Sequence, residues 1–233
     1  AGNCPQTTKQ MALIELVAIQ KSFHDGDNRL NHVLRGVNLH VEQGDFVAIK
    51  GASGSGKTTL LSILGTLLPP DSGRYFLNGQ EITNGLVNLA SVRNRQIGFV
   101  FQDHRLLAPY TVKENILLPL LADATQVEAA AEARAEELMR LTRIERLANA
   151  YPATLSGGEA SRVAVCRALI RQPLLLLADE PTGQLDRENA QNIASLFKEL
   201  NQKLGTTILM VTHSDETSAY AKRILNLIGG VIQ

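Results

Sequence analysis

The chain has 233 residues, 23 Lys+Arg against 23 Asp+Glu, 44% hydrophobic residues and 20% charged ones. A chain of this size buries roughly 70% of its unfolded surface, which allows one large domain, or one with a subdomain, and excludes wholesale disorder. A net charge of zero excludes a nucleic-acid reader that works through a bulk positive field.

Residues 1–10 are polar and lack the apolar stretch of a secretory signal, so they read as a flexible extension or an expression remnant. Patterned sequence starts at Met11, and the domain is expected over 11–233. Cys4 and Cys166 are the only cysteines, too few for a disulfide framework or a zinc site, and suit a reducing compartment. Apolar runs at 13–19, 46–50, 97–101, 174–178 and 207–211 read as strands, several of them continuous enough to be buried parallel strands. Helical patterns at 57–68, 157–171, 187–204 and 215–222 alternate with them. That alternation predicts an α/β fold with helices on both faces of a largely parallel sheet. From 103 to 154 no convincing strand appears. Val127, Ala131, Ala135, Leu138, Met139 and Leu141 sit near helical spacing within 126–148, so a helical subdomain is expected as an insertion over about 103–158. The apolar runs 174–178 and 116–122 fall far short of the roughly 18 residues a membrane span needs. If the chain works at a membrane, it does so through a partner.

Residues 51–58, Gly-Ala-Ser-Gly-Ser-Gly-Lys-Thr, fit G-x-x-x-x-G-K-[ST] between a predicted strand and a predicted helix. In that setting Gly51, Ser53, Gly54, Ser55 and Gly56 let backbone N–H groups converge on phosphate oxygens, and the helix N-terminus through Thr59 adds partial positive charge. Lys57 supplies a point charge for the β- and γ-phosphates of a nucleotide, and Thr58 a hydroxyl for Mg²⁺. The strand at 174–178 delivers Asp179 and Glu180 to the sheet edge where open α/β sheets bind ligands. Strand alternation sends their side chains to opposite sides, so Asp179 is assigned to Mg²⁺ and Glu180 to an attacking water. His213 follows the strand at 207–211 in the same way, within reach of the γ-phosphate or the water. Gln102 follows the strand at 97–101, and its amide is suited to ligating Mg²⁺ and orienting water.

With Leu155-Ser-Gly-Gly-Glu159, these residues resemble the ATP-binding subunit of an ABC (ATP-binding cassette) transporter from Met11 to Gln233. Residues 51–58 match its Walker A loop, Gln102 its glutamine loop, 155–159 its signature, 174–180 its Walker B strand, 183–186 its D-loop and His213 its switch histidine. The resemblance implies a P-loop NTPase core with a mostly parallel sheet, an N-terminal antiparallel β region and the inserted helical subdomain. It implies ATP and Mg²⁺ as ligands, ATP hydrolysis as the reaction, and a second copy packed head to tail. Ser156, Gly157 and Gly158 of each copy would then cover the ATP on the other copy's phosphate loop, with Asp186 at the junction. Phe23 matches the position where the family stacks an aromatic on adenine, although Tyr is common there. Glu159 stands where Gln is frequent, and Gln184 where Asn is frequent.

The stretches 101–107 and 114–120 resemble the branch that serves lipoprotein release, macrolide and toxin efflux, and cell division. The resemblance therefore implies an integral membrane permease as partner, no nucleic acid, and a peripheral place on the cytoplasmic face of a bacterial inner membrane. Leu106, Leu107, Tyr110, Ile116 and Leu117 are either a groove for that partner or the core of the helical subdomain. The alternatives are a soluble cassette ATPase acting on ribosomes or DNA, an importer ATPase, and a P-loop kinase. Ribosomal cassette proteins carry two cassettes per chain, DNA-maintenance ones long coiled coils, and a kinase would lack the signature.

Overall fold

The computed structural model describes residues 12–24, 30–122 and 128–233. The N-terminal extension and Val127 lie outside the described residues. Two sheets organise the fold. The strands β1 (Ala12–His24), β2 (Leu30–Glu42), β4 (Ser72–Leu77) and β5 (Gln80–Glu81) form an antiparallel sheet in the order β2-β1-β4-β5. The second sheet contains β3 (Phe46–Lys50), β6 (Ile97–Val100), β7 (Leu175–Asp179), β8 (Thr207–Thr212), β9 (Arg223–Ile228) and β10 (Val231–Ile232), in the order β10-β9-β3-β8-β7-β6. All its pairings are parallel except that of β10 with β9.

The parallel strands are apolar on both faces because they feed two cores. Val47, Ile49, Leu175, Leu177, Leu209 and Val211 pack toward the antiparallel sheet and helix α1 (Lys57–Leu64). Their neighbours Phe46, Ala48, Leu176, Ala178, Ile208 and Met210 face the opposite core, which α5 (Gly157–Leu169) and α6 (Arg187–Leu204) help build. The two-residue period of a strand makes that division. Between β4 and β6 lies α2 (Leu89–Arg95), and between β6 and β7 lie α3 (Val112–Leu117) and α4 (Ala129–Leu141). Among the described residues no strand falls between 103 and 154. There α3 and α4 pack on α5 through Ile116, Ala135, Leu138 and Met139, all buried.

Several helical stretches end earlier than expected. The first ends at Leu64, because Thr66 turns left-handed (φ 55) and Pro69 and Pro70 follow. The stretch 126–148, expected to hold one amphipathic helix or two, gives α4, which stops at Leu141. There Arg143 takes φ 60, and a 3-10 turn at Glu145–Leu147 follows. The last, expected over 215–222, is only α7 (Asp215–Ser218). Lys222 N–H already bonds the Phe46 carbonyl at 2.9 Å, which pulls the chain into β9. The five-residue apolar cluster divides between its two readings. Ile116 and Leu117 are core and Leu106 packs partly against it, while Leu107 and Tyr110 stay exposed.

Candidate nucleotide site and signature ledge

The C-terminal ends of β3, β7 and β8 open side by side, where a parallel sheet presents its ligand-binding edge. From β3 the chain turns through 51–56 into α1. Gly56, the residue preceding the helix, has φ 100, and a Cβ there would lie 2.9 Å from Val33 Cγ1, so only glycine fits the turn. The Lys57 side chain is 8% exposed and folds back over the loop. Its Nζ donates to the Gly51 carbonyl at 2.8 Å and the Ala52 carbonyl at 3.1 Å, and lies 3.7 Å from Glu180 Oε1. The Ser55 hydroxyl is buried without a partner among the described residues, a polar atom left for a ligand to satisfy.

Asp179 ends β7 and turns to α1, where its Oδ1 accepts from the Thr58 hydroxyl at 3.3 Å. Burial pushes the Asp179 carboxyl up, opposed by that hydroxyl and by Lys57 and reinforced by neighbouring Glu180. The two carboxylates do diverge, but strand alternation is not the reason. Glu180 lies beyond β7 in the left-handed region (φ 45), with its N–H held by the Val211 carbonyl at 3.0 Å. That backbone, unusual for a non-glycine residue, aims its side chain across the cleft. There Glu180 Oε2 accepts from the His213 N–H at 3.2 Å and lies 3.0 Å from His213 Nδ1.

The resulting cleft, about 650 Å³, is lined by Ser53, Gly54, Gly56, Lys57, Thr58, Thr59, Gln102, Glu180 and His213, with Phe23 and Val33 on one wall. Phe23 is 41% exposed, its ring beneath the Lys21 ammonium at 5.6 Å. Val33 is the cleft residue that motif reading misses, since an apolar strand residue carries no chemical signal. Among the described residues no three His, Cys, Asp or Glu converge on one point. Thr58, Asp179 and Gln102 offer hard oxygen donors, a set that fits Mg²⁺.

Ser156, Gly157, Gly158 and Asp186 do not line this cleft. They form a separate ledge. Ser156 caps α5, its Oγ accepting from Glu159 N–H at 3.3 Å, while its own N–H and hydroxyl donate to Glu159 Oε2 at 3.0 and 2.9 Å. Those two donors hold the Glu159 carboxyl below its usual range, with Arg146 adding at 2.7 Å. Asp186 caps α6, accepting from Asn189 N–H at 2.9 Å and Nδ2 at 2.7 Å. A Cβ on Gly158 would stand 3.0 Å from Asn189 Oδ1, so the signature rests directly on the start of α6. The D-loop also approaches the cleft: a Cβ on Gly183 would be 3.2 Å from Gln102 Nε2.

The profile of the ABC transporter family matches residues 34–183. The lipoprotein-releasing system ATP-binding protein LolD 1 of Rhodopseudomonas palustris is 42% identical over 222 residues, covering 94% of this chain and 98% of that protein. The macrolide export ATP-binding/permease protein MacB of Syntrophobacter fumaroxidans is 43% identical over 226 residues, and the chain spans 31% of its length. Among solved structures, the dimeric ABC transporter cassette MJ0796 superposes with a TM-score of 0.84 at 36% identity, covering 94% of this chain and 96% of that one. A dimeric post-hydrolysis state of the same cassette, bound to ADP and Pi, gives 0.83. With its phosphate loop, paired carboxylates and signature ledge in one fold, the chain belongs to the ABC transporter family.

Proposed function

We propose that the chain is the ATP-hydrolysing subunit of a transporter of the lipoprotein-release or macrolide-efflux kind, working as a head-to-tail pair on the cytoplasmic face of the inner membrane. The observation that carries this reading is the Glu180 carboxylate suspended between Lys57 and His213 at the end of a phosphate loop. Among the described residues no helix is long and apolar enough to cross a membrane.

In this reading ATP displaces Lys57 from the Gly51 and Ala52 carbonyls, and the ammonium and loop amides take the β- and γ-phosphates. Phe23 stacks on the base. Thr58, Asp179 and Gln102 would hold Mg²⁺, which would neutralise phosphate charge. Glu180 orients or deprotonates the attacking water, and His213 keeps the Glu180 carboxylate turned toward it. Ser156, Gly157 and Gly158 of the second copy close over the γ-phosphate with the N–H groups at the start of its α5, and Asp186 sits at the junction. Closure of the pair moves the helical subdomain and the permease with it.

The LolD relatives match over nearly their whole length, whereas MacB carries its permease in the same chain, which favours the separate-subunit arrangement. The test is capture of the Glu180→Gln protein, with MgATP, from detergent-solubilised native membranes. Retention of a permease with the architecture of a lipoprotein-release system supports the proposal. Retention of ribosomal or DNA-bound proteins would replace it with a soluble cassette.

A further inference from the structure

Directly after Gln102 the backbone takes two consecutive left-handed residues, His104 at φ 56 and Arg105 at φ 47. Non-glycine residues seldom adopt this conformation, so such a turn persists only where its surroundings hold it. The holder is α5. Arg167 Nη2 donates to the His104 carbonyl and Nη1 to the Arg105 carbonyl, both at 2.6 Å. Nearer the start of the helix, the buried Ser161 hydroxyl lies 2.7 Å from His104 Nε2. Ser161 Oγ also lies 3.1 Å from the Gly157 carbonyl, a group that only accepts. A serine hydroxyl has one proton to give. With that proton on the Gly157 carbonyl, Ser161 accepts from His104 Nε2–H, and the bonds run in one direction from the glutamine loop to the signature.

We propose that His104, Ser161 and Arg167 are positioning residues that lock the Gln102 turn to α5. Gln102 of one nucleotide site then moves as one body with Ser156–Gly158, which serve the other. The inference rests on the head-to-tail reading above and adds to it the parts that join the two sites within one chain. A cleft of about 320 Å³ borders the turn, with Phe101, Arg105 and Arg167 among its walls, so the turn has room to swing when the grip is lost. Arg167 spends its guanidinium on two backbone carbonyls, which is what a clamp on a strained turn requires.

The test is steady-state ATP hydrolysis by the full chain carrying His104→Ala, Ser161→Ala, both together, or His104→Gln. The amide nitrogen of Gln can replace the imidazole donor. Each alanine is expected to lower kcat about 5- to 10-fold with KM for ATP unchanged within about twofold, and the double variant to be no slower than the slower single one. His104→Gln regains most of the lost kcat. Arg167→Lys, which keeps the charge and loses the two-pronged grip, behaves like the alanine variants. Effects that multiply in the double variant, equal losses in His104→Gln and His104→Ala, or KM rising as kcat falls would overturn the proposal. ATP-driven pairing of Glu180→Gln, measured alongside, separates the two ideas. Without that pairing the head-to-tail reading fails, whereas normal pairing with multiplying kcat effects removes the relay alone.

Discussion

The cleft at the phosphate loop and the ledge at the signature are both helix N-termini, yet they differ in completeness. The cleft surrounds its ligand space with side chains from β1, β2, α1 and the ends of β7 and β8, and its Lys57 ammonium and buried, unpartnered Ser55 hydroxyl suit an anion. The ledge is open, and its side chains already satisfy one another: Ser156 with Glu159, Asp186 with Asn189. One region is an enclosing cleft, the other an open edge at a capped helix start. Half a site is useful only if another molecule brings the rest, and this asymmetry within one chain is the physical argument for a head-to-tail pair.

Substitutions can break the comparison on either side. The largest effect belongs to Glu180→Gln, which keeps the shape of the cleft and removes the carboxylate proposed to act on water. We expect kcat to fall about 10²–10⁴-fold with ATP affinity nearly unchanged, read by phosphate release and nucleotide titration. Lys57→Ala removes charge-assisted bonds worth roughly 1.5–3 kcal/mol, so ATP should bind about 10- to 100-fold more weakly in calorimetry. Gly158→Ala acts on the ledge alone. Its new methyl crowds Asn189, and we expect hydrolysis to fall on the order of 10-fold while a single chain binds ATP as before. Phe23→Ala forfeits stacking of about 0.5–1.5 kcal/mol, a 3- to 10-fold loss of affinity that Phe23→Tyr avoids.

The smallest effect concerns Glu159. Its carboxyl is held below the usual range by Ser156, so its contribution to α5 is present above the ordinary carboxylate pKa and is lost as pH falls through the lowered one. Glu159→Gln keeps the cap geometry and should remove that acid sensitivity in thermal melts across pH, losing at neutral pH only the small charge-assisted part that protonation of Glu159 loses in acid.

Much of this was legible in the sequence because the chemistry depends on short, local strings. The phosphate loop, the Asp179-Glu180 pair and His213 each follow a continuous apolar strand, and all three strands align at one sheet edge. The antiparallel sheet was less legible. In β2 the buried Leu34, Val37, Leu39 and Val41 are interrupted at Gly36, which breaks the simple alternation, and the exposed Ile224 and Ile228 of β9 blur its pattern. Contacts distant in sequence, such as Val33 against Gly56 or His104 against Ser161, leave no local trace. Nor did helical spacing reveal where helices stop, since Thr66 and Arg143 turn left-handed where tertiary packing requires it.

The most direct test of the two half-sites is the mass of the Glu180→Gln chain in solution, by analytical ultracentrifugation with MgATP and with MgADP. The account predicts a species of twice 25.3 kDa with ATP and a single chain with ADP, and the ATP species should vanish when Gly158→Ala is added. A 25.3 kDa species at saturating ATP would contradict it.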